Sequence, residues 1–87
     1  MTGVPPQFIL TDHAKKRMAE RSISEELITE ALRNPTKIGR GKQQRILIKK
    51  IYERGKKKRL LLLALEREAE KWCIITVIDT TKIQKYL

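Results

Sequence analysis

Residues 60 to 65 read Leu-Leu-Leu-Leu-Ala-Leu, and a chain of 87 residues has few ways to bury six consecutive apolar side chains. On a strand, successive side chains point to opposite faces, so this run needs cover on both sides and reads as the central strand of a sheet. Trp72 to Ile78 is a second such run, β-branched and apolar on both faces, interrupted by Thr76. Gln44 to Glu53 alternates loosely, with Ile46, Ile48 and Tyr52 on one face and Leu47 and Ile51 partly filling the other. Arg54-Gly55-Lys56 supplies a turn with glycine free to take positive φ, and Glu66 to Glu70 supplies the next. The pattern predicts three main antiparallel strands near 44 to 53, 59 to 66 and 71 to 78. The competing reading is a helix across Leu60 to Leu65, since leucine favours helices.

The cover comes from Leu10 to Pro35, which holds two well-punctuated helices. Thr11 or Asp12 caps the first, predicted over 12 to 21. Ser24 caps the second, predicted over 24 to 33, with Glu25 and Glu26 complementing its dipole and Ile23 stapling onto Ile28. Leu27, Ile28, Ala31 and Leu32 form its apolar face. Asn34-Pro35 ends it, because the residue before proline is pushed out of the helical region. Phe8 to Leu10 is either a brief strand or the lead into the first helix, and Val4-Pro5-Pro6 is an extended lead-in after a mobile Met1 to Gly3. Thr36 to Lys42 reads as a loop or weak edge strand. Thr80 to Leu87, with Ile83, Tyr86 and Leu87 at helical spacing, predicts one or two final helical turns. The expected architecture is α+β: one domain over 1–87, two N-terminal helices packed on a curved antiparallel sheet of three to four strands, and a short C-terminal helical turn. The second sheet face becomes a partly open concavity lined by the basic strand, the tail and the edge of the first helix.

The formal net charge is +10, and its location matters more than its size. Lys37 to Arg59 holds eleven basic residues against one acid, Glu53, while the rest of the chain carries nine of each sign. So lopsided a field attracts polyanions, nucleic acid first and an acidic protein second, unless it is only a solvated surface. Arg40, Lys42, Arg45, Lys49, Lys50, Lys56, Lys57 and Lys58 are the candidate nucleic-acid contacts. The single cysteine, Cys73, excludes an internal disulfide and reads as a buried, inert thiol. One histidine and one cysteine far apart give no zinc spacing. No apolar run approaches membrane-spanning length and no secretion signal opens the chain, so a cytoplasmic protein with no membrane contact is expected.

At 100° per residue, His13, Arg17 and Glu20 form a narrow stripe on the first helix, with Arg21 at its edge. The plain readings are a solvent-exposed histidine, an exposed Arg17–Glu20 pair worth about a few tenths of a kcal/mol, and an Arg21 that caps carbonyls at its own helix end. Tyr52 and Trp72 read as core packing ahead of base stacking.

Asp-His-Ala-Lys-Lys-Arg-Met-Ala-Glu-Arg-Ser-Ile-Ser-Glu-Glu, a later Tyr-bearing strand, Ile-Ile-Thr-Val-Ile and the lysine-rich tail together resemble the domain of unknown function 4258 family, over about residues 8 to 83. The resemblance is most specific in the His-x3-Arg-x3-Arg spacing followed by Ile-Ser-Glu-Glu. That family is usually placed near the RelE-like and colicin-like ribonuclease toxins, which share two helices on a curved antiparallel sheet. The resemblance implies His13, Arg17, Arg21 and Thr76 as site residues, and no cofactor or metal is expected. Cleaving RNA without metal needs a base for the 2′-hydroxyl proton, an acid for the leaving oxygen and cations for the charge on phosphate. An imidazole ordinarily titrates near physiological pH and suits either of the first two roles. Guanidinium forks match phosphate oxygens and suit the third. Glu20, Lys85 or Tyr86 supplies the remaining partner. The expected function is a metal-independent endoribonuclease of toxin–antitoxin type, acting on RNA and inhibited by an acidic antitoxin. The alternatives are a non-catalytic RNA- or DNA-binding module and a protein-interaction domain for an acidic partner.

Overall fold

The structure, a computed structural model, describes residues 8–68 and 71–87. The segment expected at Met1 to Pro6 lies outside the described residues, and of the turn expected at Glu66 to Glu70 the first three residues are instead the end of a strand, paired with Lys71 to Cys73, while 69 and 70 lie outside the described residues. In chain order the elements are β1 (Phe8–Leu10), α1 (Asp12–Arg21), α2 (Glu25–Arg33), β2 (Lys37–Arg40), β3 (Ile46–Arg54), β4 (Lys57–Glu68), β5 (Lys71–Thr80) and α3 (Ile83–Tyr86). They form one five-stranded sheet, ordered β1-β5-β4-β3-β2, with α1 and α2 on one face. The fold is α+β as the sequence implies, and Leu60 to Leu65 is central strand, not helix. The sheet is wider than the three to four strands expected. Lys37–Arg40 pairs antiparallel with β3, and Phe8–Leu10 pairs parallel with β5, which makes the sheet mixed. Both additions are too short for periodicity to reveal them; pairing with a strong neighbouring strand defines them.

Capping fixes the helix frame. The Thr11 hydroxyl accepts from the Ala14 amide at 3.2 Å and donates to the Ile74 carbonyl at 3.1 Å, so one side chain starts α1 and ties it to β5. Asp12 adds its charge to the first turn. At the other end Ser22 takes φ 55°, and the Arg54 guanidinium donates to the Arg21 and Ser22 carbonyls at 3.1 and 2.9 Å. The helix-end carbonyls are therefore satisfied by the Ser22 and Ile23 amides, at Ala19 and Met18, and from β3, and not by the Arg21 side chain. Ser24 accepts from the Leu27 amide at 3.1 Å to start α2, and Ile23 and Ile28 are both buried, as a staple requires. No helix among the described residues is long and apolar enough to cross a membrane.

Register decides which side chains meet. Ala64 pairs with Thr76 but Leu65 pairs with Ile74, so Ile75 is inserted as a bulge. That extra residue lets Ile74, Val77 and Asp79 all join the helix-covered face, with Ile48, Leu61, Leu63 and Leu65. The helices fill this face with Ala14, Met18, Ile28 and Ala31, and Tyr52 and Trp72 pack at its margins. On the opposite face Leu60, Leu62 and Ala64 are also buried. The tail crosses this face from β5 towards β2, where Lys37 Nζ donates to the Leu87 carbonyl at 2.8 Å. Cys73, expected to be buried, is only half-buried on β5 between Ile9 and Glu66. It lies near the end of the sheet, away from the tail that shields the leucines.

Candidate functional site

β1 pairs with β5 only at Trp72, Cys73 and Ile74, because at Thr11 the chain turns into α1. From Thr76 to Thr80, β5 has no strand on that side among the described residues, so α1 runs beside an open sheet edge. Arg17 and Arg21, one turn apart, line a cavity of about 240 Å³ whose other wall is Thr76, Val77, Ile78 and Asp79. Three of the four residues implied by the resemblance thus line one depression, although Thr76 does so from the β5 edge, its side chain lying with Ala64 on the tail face. His13 is exposed, one turn before Arg17 and outside the lining. The first-helix edge therefore lines a depression separate from the tail, and not the tail-covered concavity the sequence suggests.

Asp79 gives the depression its electrostatics. Its side chain is almost fully buried and joins a bidentate pair with Arg59, whose Nε donates to Oδ1 at 3.1 Å while a terminal nitrogen meets Oδ2 at 2.9 Å. The Tyr52 hydroxyl also donates to Oδ1, at 2.6 Å. Burial pushes the Asp79 carboxyl up, but hydrogen bonds from Arg59 and Tyr52 and the charges of Arg59 and Arg54 outweigh it and hold the carboxyl below its usual range. Burial, followed by the hydrogen bond and charge of Asp79, raises the Tyr52 phenol. The hydrogen bond to Asp79 raises Arg59. Asp79 is thus an anion matched by Arg59, which leaves the charges of Arg17 and Arg21 facing the open side. Arg17 also meets Glu20 at 3.6 Å, a pair nearly half-exposed on both sides and weak in water.

The basic segment does not form one patch. Lys50 lies on the helix-covered face, donating to the Asn34 carbonyl at 2.8 Å and meeting Glu30 at 3.6 Å. Arg45 pairs with Glu66 at 3.1 Å. Arg40 lies on β2 and Lys42 on the 3₁₀ turn after it. Lys56 and Lys57 sit at the β3–β4 hairpin, whose Gly55 takes φ 65°. Lys49 and Lys58 face the tail side, and Lys58 lines a cavity there with Lys82 and Lys85. The other expected partners separate likewise: Glu20 is on α1, whereas Lys85 and Tyr86 belong to the tail.

Sequence reading missed Asp79, Arg59 and Lys82. The one available signal for Asp79 is a lone acid closing an apolar strand opposite a strand that starts with arginine. Neither a curated protein nor a solved structure matches the chain. A protein family does, over residues 10–83. That match takes in the helix bearing both arginines, all of β5 and the start of the tail, and on it the chain belongs to the family described as Domain of unknown function (DUF4258).

Proposed function

We propose that the chain binds RNA and cleaves it without a metal ion, with Arg17 and Arg21 holding the scissile phosphate at the open edge of β5. The observation that carries this reading is the pair of guanidinium groups on a depression whose one lining carboxylate, Asp79, is already matched by Arg59. An entering phosphate meets the Arg21 fork directly, and the exposed Glu20 yields Arg17 readily to a bidentate contact. The His13 imidazole takes the proton of a ribose 2′-hydroxyl, whose oxygen attacks phosphorus as the bond to the 5′ oxygen breaks. The arginines hold the charge that builds on the phosphoryl oxygens. The leaving oxygen takes its proton from water at the open depression. An acidic antitoxin-type protein covering the same arginines would inhibit, and the cytoplasm is the setting this chemistry implies.

One observation favours a second reading, a non-catalytic RNA- or DNA-binding module: His13 is exposed, and among the described residues no side chain orients its ring. Purified protein with labelled RNA in excess chelator separates the two. Cleavage leaving 2′,3′-cyclic phosphate ends, about a hundredfold or more slower in His13→Ala and impaired in Arg17→Lys, is the expected result. Tight binding with no cleavage would replace the enzyme by the binding module. Unchanged cleavage in His13→Ala would remove that residue from the site.

A further inference from the structure

The sheet sorts its cations by face. On the helix-covered side Lys50 and Arg59 are held by Glu30 and Asp79. On the other side stand Lys37, Lys49 and Lys58, and the tail adds Lys82 and Lys85. Among the described residues none of Lys49, Lys58, Lys82 and Lys85 is in an ion pair. The neighbouring acid is Glu53, opposite Lys58 in the β3–β4 pairing. Lys58, Lys82 and Lys85 line a basin of about 620 Å³ with Ile51 and Ile83 among its walls. Ammonium groups around partly apolar walls suit a strand with unpaired bases: phosphates meet the lysines and a base covers the isoleucines.

The basin and the arginine depression are consecutive along the chain. Asp79 lines one and Thr81 the other, and two residues of extended backbone span about 7 Å. Between them lies the β5 edge that no described strand covers. We propose that one single-stranded RNA occupies both sites, wrapping round the open β5 edge from Arg17 and Arg21 to the basin of Lys58, Lys82 and Lys85. This rests on the RNA-binding reading above and adds the path of the strand.

The test uses the full chain and single-stranded oligonucleotides with 2′-fluoro groups, which cannot be cut through the 2′ oxygen, in lengths of about 4 and about 12 nucleotides, within the range of known single-strand sites. Lys82→Gln/Lys85→Gln changes two exposed side chains, and Lys15→Gln/Lys71→Gln removes the same charge from exposed positions elsewhere. For the long oligonucleotide, losing two phosphate contacts lowers the salt slope by about 1.4 and the affinity by about 25-fold near 0.1 M salt. The short one, seated at the arginines, keeps its affinity within a few-fold in the Lys82/Lys85 variant, and the Lys15/Lys71 variant loses little with either. A Lys82/Lys85 loss no greater than that of the Lys15/Lys71 variant, or an unchanged slope, overturns the path while wild-type binding keeps the RNA reading. Equal affinity and equal loss with duplex RNA also overturns it. Failure of wild type to bind either oligonucleotide removes both.

Discussion

Asp79 is the residue on which the site's charge balance depends. Its carboxyl is held below the ordinary aspartate value by Arg59 and Tyr52, which more than offset its burial. A depressed folded-state value contributes stability that is complete above the unfolded value of about 3.9 and is lost as pH falls through the lower folded value. Urea midpoints followed downward from pH 5 should fall in wild type, and this contribution to the fall should vanish in Asp79→Asn. Asp79→Ala strands the Arg59 guanidinium and should cost about 3 to 5 kcal/mol, towards the lower end because Arg59 retains some access to water. Tyr52→Phe leaves the ion pair intact and removes one hydrogen bond to a charged group, for about 1.5 to 3 kcal/mol by the same denaturation measurement.

At the scale of elements, α1 is held at both ends by other elements, by Thr11 to β5 and by Arg54 from β3. Thr11→Ala removes a cap and a link to the sheet, and should cost about 1 to 2 kcal/mol, more than the roughly 1 kcal/mol expected for Ser24→Ala. Thermal or urea unfolding of the two variants compares them directly. The helices were legible because their signals are local: a capping hydroxyl, an apolar stripe and a proline stop. The central strands were legible because Leu60 to Leu65 and Trp72 to Ile78 tolerate no exposed face. The meeting of Arg17 and Arg21 with Thr76 was available only through a family resemblance, since nothing in their spacing points to a strand more than fifty residues away. Asp79 was hidden by the bulge at Ile75, which breaks the two-residue alternation between Ile74 and Val77 and so disguises which face the strand end joins. Lys49 and Lys50 show the reverse limit. A charge count treats them alike, but the pleat sends one to the tail side and the other to Glu30 and Asn34.

Over the whole molecule, basic side chains gather in two regions joined by an open strand edge, an arrangement that a net value of +10 cannot express. RNA affinity should therefore fall steeply with salt, and Lys50→Gln should change it less than Lys58→Gln, because Lys50 is already engaged within the fold. Equal losses in salt-dependent binding for those two variants would mean that the bulk field dominates, not the sorting of lysines by face. The arginine depression beside β5 is the proposed seat of the phosphate. The most direct measurement is an amide NMR titration of the isotope-labelled protein with 2′-fluoro single-stranded RNA. Shifts should concentrate at Arg17 to Arg21 and Thr76 to Asp79 at the first additions and vanish in Arg17→Ala/Arg21→Ala, in a protein that otherwise keeps its spectrum. Shifts that leave β5 untouched and survive loss of both arginines would contradict it.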